Sequence, residues 1–374
     1  MSASIPPSAT SSTTTSSVVN IGSRKSRLAV IQTEIVRTAL REAWPDLQFE
    51  VQTMSTAGDK DGTTALHSMA AKSLWTEELE VLLLDRRLDL IVHSLKADAP
   101  HTESDIPTQL PPTLTIGAIF PREDPRDALV VKPSLPYASL TALPTGSVIG
   151  TSSIRRTAQI ARKYPGLKFE NVRGNIDTRL AKLDAEDGKY ACIILAAAGL
   201  KRAGLGHRIT QYLDSKTERG DGQNGGVDPG DDGWLHAVGQ GALGVEIREG
   251  DERIHNLLKR LACPKTTLSC LAERSLMRTL EGGCSVPIGV ETEWVEPNPS
   301  SSAPGELSAG SELRMRATVT STDGLSYVAA CQTAHVDNET KSDEFGRAVA
   351  KELVEKGAGA ILEQITLNRD IVNA

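Results

Sequence analysis

A cysteine in a glycine-rich segment is the first residue of this sequence that could do chemistry. Cys284 lies in LEGGCSVPIG, residues 280–289, after two glycines and three positions before Pro287. A free cysteine is most often a small buried hydrophobic residue. The flanking glycines and proline instead favour a tight exposed loop, in which the sulfur could act as a nucleophile or an attachment point. Local chemistry alone does not decide between the two.

Basic residues recur at predicted strand ends and helix starts, beside Gly, Ser or Thr. They are Arg24, Lys96, Arg155, Arg156, Arg173, Arg179 and Arg202, with Ser26 beside the first. The planar fork of arginine binds a carboxylate through two hydrogen bonds, so several converging arginines suit a ligand with several carboxylates. Any one arginine alone is more often a solvated surface charge. Their repeated position at the carboxyl edge of a sheet favours a binding cleft.

The elements that would position these residues alternate between strands and helices. Strand patterns occur at 18–22, 48–54 and 89–94. A helical repeat lies between the first two of them, at Leu28, Ile31, Ile35 and Ala39, and a second lies between the last two, at Trp75, Leu79, Leu82 and Leu83. Residues 147–196 repeat this order. Both units pass from a strand through Gly and hydroxyl residues into a basic helix start, where free N–H groups favour anions. The alternation predicts an α/β fold with largely parallel sheets, and two facing units would enclose an anion-binding cleft.

A different pattern follows residue 260. A helix at 266–283, strand-like segments at 313–321 and 325–336, and one closing helix at 341–365 predict a smaller α+β domain that carries Cys284. The Gly/Asp-rich segment 215–234 is predicted to be a surface loop, like 297–310. The Ser/Thr-rich residues 1–17 predict a disordered tail.

The composition excludes several classes of protein. The net charge of −7 gives no global attraction to nucleic acid or anionic lipid. No apolar run approaches the roughly 20 residues that cross a bilayer. The five cysteines and the histidines lack the spacing of a metal site, and the glycine-rich stretches match no nucleotide-binding motif. The N-terminal tail has neither the apolar core of a secretion signal nor the arginines of a mitochondrial presequence. These features predict a cytoplasmic protein without metal, nucleic-acid partner or membrane span.

Nine ordered motifs, from Val18 to the C-terminal domain, resemble the porphobilinogen deaminases, also called hydroxymethylbilane synthases. They are GSRKSRLA, KSLWTEELE, IVHSLK, PREDPRDA, GTSSIRR, VRGNIDTRL, ILAAAGLKR, AVGQGALG and LEGGCSVPIG. The resemblance implies two periplasmic-binding-protein-like domains with mixed, largely parallel sheets plus a smaller α+β C-terminal domain. We expect domain 1 at 18–120 and 242–259, domain 2 at 121–241 and domain 3 at 260–374.

The resemblance also implies a reaction of porphyrin and heme biosynthesis. Four porphobilinogen molecules are joined head to tail with loss of ammonia, giving the linear tetrapyrrole hydroxymethylbilane. The family is commonly monomeric and carries a dipyrromethane cofactor, attached by a thioether to the cysteine that Cys284 matches. By motif position, the carboxylates of cofactor and substrate would be held by Arg24, Ser26, Ser94, Lys96, Thr151, Ser152, Ser153, Arg155, Arg156, Arg173, Asn175, Arg179 and Arg202. Trp75 would stack on a pyrrole or belong to the core.

The chain departs from the family at the catalytic aspartate, which normally follows Lys96 directly. Here ADAPHTES, residues 97–104, intervenes, and both Asp98 and Asp105 precede an x-Pro pair. The distance from Asp105 to Glu123 is the usual one, so Asp105 is the predicted catalytic residue and Asp98 the alternative. An insertion there leaves open a degenerate member that assembles the cofactor but does not elongate. A non-catalytic binding module with a buried Cys284 is the other alternative. His93 is predicted to be structural rather than an acid–base catalyst.

Overall fold

The computed structural model describes residues 18–54, 76–97, 106–216, 233–280, 287–297 and 305–372. The tail 1–17, most of the 215–234 loop and about half of the 297–310 loop, predicted from the sequence, lie outside these ranges. The strands in the described ranges are β1 (Val18–Arg24), β2 (Gln48–Met54), β3 (Leu90–Ser94), β4 (Leu114–Ile119), β5 (Asp127–Val131), β6 (Val148–Gly150), β7 (Lys168–Glu170), β8 (Cys192–Ala196), β9 (Gln211–Leu213), β10 (Leu243–Arg248), β11 (Ile288–Val295), β12 (Glu312–Thr320) and β13 (Tyr327–Ala334). The helices are α1 (Arg27–Ala43), α2 (Glu77–Leu84), α3 (Ile154–Lys163), α4 (Ile176–Asp184), α5 (Ala197–Arg202), α6 (Glu252–Leu258), α7 (Pro264–Thr279), α8 (Glu339–Glu355) and α9 (Ala358–Val372).

Two five-stranded sheets share one topology. The first has the order β2-β1-β3-β10-β4 and the second β7-β6-β8-β5-β9. In the first, β1 is parallel to β2 and β3, whereas β10 is antiparallel to β3 and β4. In the second, β6 is parallel to its neighbours and β5 is antiparallel to its own. Four strands of each sheet therefore run in one direction, and the chain passes between the two lobes twice. The predicted α/β fold with two mixed, largely parallel sheets is confirmed.

Five strands, namely β4, β5, β9, β10 and β11, were not predicted. Two of these, β5 and β10, are buried along their whole length. Strands covered on both faces lose the alternation of polar and apolar residues that identifies a half-buried strand. The sequence DALVV consequently gives no strand signal of period two. LGVEIR does alternate apolar residues with Gly, Glu and Arg, but this pattern of β10 was not recognised.

Helix α1 confirms the predicted helix but buries a different face. Its core side is formed by Ala29, Thr33, Val36 and Leu40, whereas Ile35 is 42% exposed. The apolar repeat that indicated the helix, which included Ile35, is therefore not its buried face. A polar residue can lie on the core side because Thr33 Oγ1 donates a hydrogen bond to Ser23 Oγ at 2.8 Å.

The C-terminal part is a smaller α+β domain, as predicted. Its antiparallel sheet β11-β12-β13 packs on α7, α8 and α9 around a core of its own. The single closing helix predicted at 341–365 was wrong, because α8 ends at Glu355 and α9 begins at Ala358. Gly357 between them has a φ of 103°, a conformation that favours glycine and ends a helix. The domain boundaries given above remain predictions.

A buried ion pair joins both crossover segments to α7. Arg122 on the outgoing segment donates to both carboxylate oxygens of Glu273, at 2.6 and 3.1 Å. Glu273 also accepts from the backbone N–H of Gly239 at 2.7 Å, and Arg122 Nε donates to the carbonyl of Gln240 at 2.8 Å. Burial alone would raise the pKa of Glu273, but Arg122 lowers it. The pair thus holds the returning segment, which reaches the site below, in a fixed position.

Candidate active site

A cleft of about 140 Å³ lies where the two lobes and the returning crossover meet. The first lobe contributes α1 and the end of β3, and the second contributes β8, α4 and α5. Seven residues predicted from the sequence line it, namely Ser26, Ser94, Lys96, Arg156, Asn175, Arg179 and Arg202. Among the described residues, no carboxylate lines this cleft. We refer to Lys96, Arg156, Arg179 and Arg202 as the cleft cations.

Helices α1 and α4 begin at the cleft from opposite lobes. Ser26 caps α1, and its Oγ accepts from the N–H of Ala29 at 3.4 Å. Asn175 caps α4, and its Oδ1 accepts from the N–H of Thr178 at 2.9 Å. The remaining free N–H groups at a helix start favour a nearby anion. These two predicted ligand residues therefore also hold helix starts that add positive potential to the cleft.

Asp127 at the start of β5 is a buried acceptor that the sequence analysis missed. Arg155 Nη1 donates to its Oδ2 at 2.8 Å, and Arg156 Nη2 donates to its Oδ1 at 2.7 Å. Trp234 Nε1 and Gln240 Nε2 also donate to it, at 2.8 and 3.0 Å. Burial alone would raise the pKa of Asp127, but Arg155 and Arg156 hold it well below its usual value. The only signal in the sequence that could have identified Asp127 was a charged residue at the start of the apolar run DALVV.

The two adjacent arginines therefore have different surroundings. Arg155 is 1% exposed, and its Nη1 also donates to the carbonyl of Leu235 at 2.8 Å. Arg156 borders the cleft, although its Nη1 donates to the carbonyl of Ile194 at 2.8 Å and its other nitrogens to Asp127. Asp127 thus fixes the orientation of Arg156, the one cleft cation that it contacts.

Two other cleft cations are oriented by backbone carbonyl groups. Arg202 Nη2 donates to the carbonyl of Gly241 at 2.9 Å, and Arg179 Nε donates to that of Gly174 at 2.6 Å. Burial lowers the pKa of Arg202 to about 10, although Glu123 opposes this shift. The guanidinium of Arg202 consequently keeps its charge at neutral pH.

The other predicted ligand residues that are described do not line this cleft. Arg24 is buried in β1. Thr151 and Ser152 belong to the turn before α3, where Thr151 Oγ1 accepts from the N–H of Ser153 and Ser152 Oγ donates to the Val172 carbonyl. Ser153 caps α3, and Arg173 belongs to the segment before α4. Their roles as ligands remain predictions, as does that of Arg155.

Four predicted site residues, Trp75, Asp98, Asp105 and Cys284, lie outside the described residues. His93 is described, and its Nε2 lies 2.8 Å from Glu246 Oε2 with both side chains buried. This pair joins neighbouring strands of the first sheet, which supports a structural role for His93. In the described ranges, no group of His, Cys, Asp and Glu could hold a metal ion, and no helix is long and apolar enough to cross a membrane.

Two family models match the chain. The model for "Porphobilinogen deaminase, dipyromethane cofactor binding domain" matches residues 19–256. The chain belongs to the porphobilinogen deaminase family. The model for "Porphobilinogen deaminase, C-terminal domain" matches residues 267–355. The predicted enzyme class and the dipyrromethane cofactor are thereby confirmed at the level of the family.

Curated porphobilinogen deaminases align with almost the whole chain. The protein from Candida albicans is 45% identical over 358 residues, which cover 94% of each chain. The protein from Saccharomyces cerevisiae is 44% identical over 357 residues, which cover 94% of this chain and 98% of the yeast protein. A solved VFT2 domain of Bordetella pertussis BvgS is 16% identical, with a TM-score of 0.35, over 66% of this chain and 86% of that domain.

The described residues fit a porphobilinogen deaminase cofactor. A dipyrromethane made from two porphobilinogen units carries acetate and propionate side chains, and all of these are acceptors. The cleft offers Lys96, Arg156, Arg179 and Arg202, which are donors only. The two helix starts add further N–H groups. The charge and donor set of the cleft thus match a ligand with several carboxylates.

Proposed function

We propose that this chain is a hydroxymethylbilane synthase that joins four porphobilinogen molecules head to tail with release of ammonia. The observation that carries the proposal is the cleft between the lobes. Four cations line it, and none of its described lining residues is a carboxylate. Because each pyrrole unit brings two carboxylates, every unit added to the chain increases the need for such cations.

We assign the cleft cations to the carboxylates of cofactor and substrate. The guanidinium groups of the three arginines among them are oriented before a ligand arrives. Arg156 is oriented by Asp127, and Arg179 and Arg202 by backbone carbonyls. Such preorganisation lowers the cost of ordering side chains on binding. The remaining predicted ligands, Arg24, Thr151, Ser152, Ser153, Arg155 and Arg173, would support the same region.

The reacting groups are assigned by motif position. Cys284 would carry the dipyrromethane through a thioether, and the bound cofactor supplies the primer to which substrate units are added. Asp105, or Asp98 in its place, would stabilise the positive charge that develops on porphobilinogen as ammonia leaves. A carboxylate placed at developing charge is among the largest single contributions to catalysis. Trp75 would stack on a pyrrole ring.

The intact mass of the denatured protein, before and after addition of porphobilinogen, tests the proposal. We expect a mass excess of two pyrrole units on the Cys284 peptide, extended by single units during incubation. An excess that never grows would favour the degenerate member, with the inserted residues 97–104 as the cause. No excess would favour the non-catalytic binding module. Cys284→Ser is the control, which should fold without the added mass or activity.

We also propose that the enzyme is a cytoplasmic monomer in porphyrin and heme biosynthesis. The monomeric state is common in the family to which the chain belongs. Size-exclusion chromatography with light scattering would test the monomer, and a dimer mass at micromolar concentration would contradict it. Fractionation of the source cells would test the location.

A further inference from the structure

Arg274 on α7 is a buried cation that lacks a counter-ion among the described residues. It is only 2% exposed, and its Nη1 is buried without a hydrogen-bond partner in the described ranges. Burial, together with the neighbouring Arg278, lowers the pKa of Arg274 to about 10, so the group is still charged at neutral pH. A buried charge without a paired anion lowers the stability of a fold. A cation at this position therefore points to a role other than stability.

The contacts of Arg274 lead to the segment between β3 and β4. Its Nη2 donates to the carbonyl of Pro107. One turn further along α7, Arg278 Nη1 donates to the carbonyl of Thr108 at 3.4 Å. Ile106 is fully buried in a cluster that also contains Cys270 of α7. Helix α7 thus holds three consecutive residues, 106–108.

This segment directly follows Asp105, the predicted catalytic residue. Leu95, which belongs to the same buried cluster as Ile106, lies between the cleft residues Ser94 and Lys96. The cluster therefore joins α7 and the edge of the cleft to the residue next to Asp105. A carboxylate stabilises developing charge only when it is held at the place where that charge appears. Hydrogen bonds to the carbonyls that follow Asp105 would supply such support.

The same helix leads to the site of cofactor attachment. Helix α7 ends at Thr279, and Cys284, which would carry the dipyrromethane, follows five residues later. We propose that Arg274 is a positioning residue that holds Asp105 at the cleft through the Pro107 carbonyl. Because it does so from the helix that leads to Cys284, it sets the aspartate in relation to the attached cofactor. This inference rests on the proposed function and adds to it a residue that does not line the cleft.

Arg274→Met tests this role, because methionine keeps a long side chain but removes the charge and the donor. A misplacement of about 1 Å can cost about 100-fold in rate, so we expect kcat for porphobilinogen consumption to fall about 100-fold. The KM should stay within about two-fold of the wild-type value, because the cleft cations are unchanged. The intact mass should still show the dipyrromethane. The urea midpoint should not fall, since an apolar residue in place of an unpaired buried charge is neutral or stabilising.

Arg314→Met is the matched control. Arg314 also belongs to the C-terminal domain, but it pairs with Glu293 on the neighbouring strand. This variant should keep the wild-type kcat and KM. An unchanged kcat in folded, cofactor-bearing Arg274→Met would overturn the inference, and so would a raised KM with unchanged kcat.

A double-mutant cycle separates positioning of the aspartate from a general structural effect. Asp105→Glu keeps a carboxylate at a changed distance, so some turnover should remain. If Arg274 acts through Asp105, Arg274→Met should cost less than about three-fold in kcat in the Asp105→Glu background. In the Asp98→Glu background it should still cost about 100-fold. Equal costs in the wild-type and Asp105→Glu backgrounds would overturn the inference, as would coupling to Asp98 instead.

Arg274→Lys carries the test if Arg274→Met does not fold. Lysine keeps the charge, but its ammonium group lies nearer to the backbone than the guanidinium nitrogens do. The contact with the Pro107 carbonyl should be weakened, and kcat should fall about ten-fold at an unchanged KM. A folded Arg274→Lys enzyme with the wild-type kcat would contradict the proposed role.

The wild-type enzyme distinguishes failure of this inference from failure of the proposed function. If it carries no dipyrromethane or does not consume porphobilinogen, the proposed function fails. If it turns over normally and kcat does not depend on residue 274, only the role of Arg274 fails.

Discussion

Asp127 should contribute more to stability than any surface acid of the second lobe. Its side chain is fully buried and lies between the cations of Arg155 and Arg156, which are 1% and 4% exposed. Asp127→Asn keeps the shape of the side chain but removes its charge and turns one acceptor oxygen into a donor. Both guanidinium groups then remain buried without their anion. Breaking a buried pair in this way costs about 3–5 kcal/mol.

This loss is a large part of the roughly 5–15 kcal/mol by which a folded protein is stable. Urea unfolding should therefore show a midpoint lowered by about 1 M or more. Asp184 provides the matched control in the same lobe, because its pair with Arg208 is partly exposed on both sides. Asp184→Asn should change the free energy of unfolding by less than about 1 kcal/mol. Equal midpoints for the two variants would refute the assignment of Asp127 as the anion that holds both arginines.

Three further predictions follow from the same contacts. The pKa of Asp127 is depressed in the folded state, so the stabilisation that its charge provides is fully present above about pH 4. This stabilisation is lost as the pH falls from about 4 towards the folded-state pKa. The difference in unfolding free energy between wild type and Asp127→Asn should therefore shrink below about pH 4 and stay constant above that pH. A Cβ on Gly346 would meet the carbonyl oxygen of Ala272 at 2.2 Å, so Gly346→Ala should lower the thermal midpoint by several degrees, whereas Gly359→Ala, with open space around it, should not. Arg202→Gln should raise the KM for porphobilinogen about ten-fold in steady-state assays, and an unchanged KM would remove Arg202 from the binding site.

The sequence predicted the fold class because the alternation of strands and helices is a local property. Patterns of period two and 3.6 identified β1, β2 and β3 and the helices α1 and α2 of the first lobe. The same reasoning missed β5, whose uniform burial is decided by the elements packed on both faces. The apolar repeat that indicated α1 also includes Leu28, which lines the cleft.

Prediction from the sequence was less complete for the candidate site than for the fold, because it identified the cations but not the anions that pair with them. Arg155 and Arg156 are adjacent and chemically identical, yet only Arg156 lines the cleft. Both donate to Asp127, which lies 28 and 29 positions away along the chain. They differ in their backbone acceptor, which is the carbonyl of Leu235 for Arg155 and that of Ile194 for Arg156. A guanidinium whose N–H groups donate to a buried carboxylate is held in one orientation. Only the folded chain shows which N–H groups are engaged in this way.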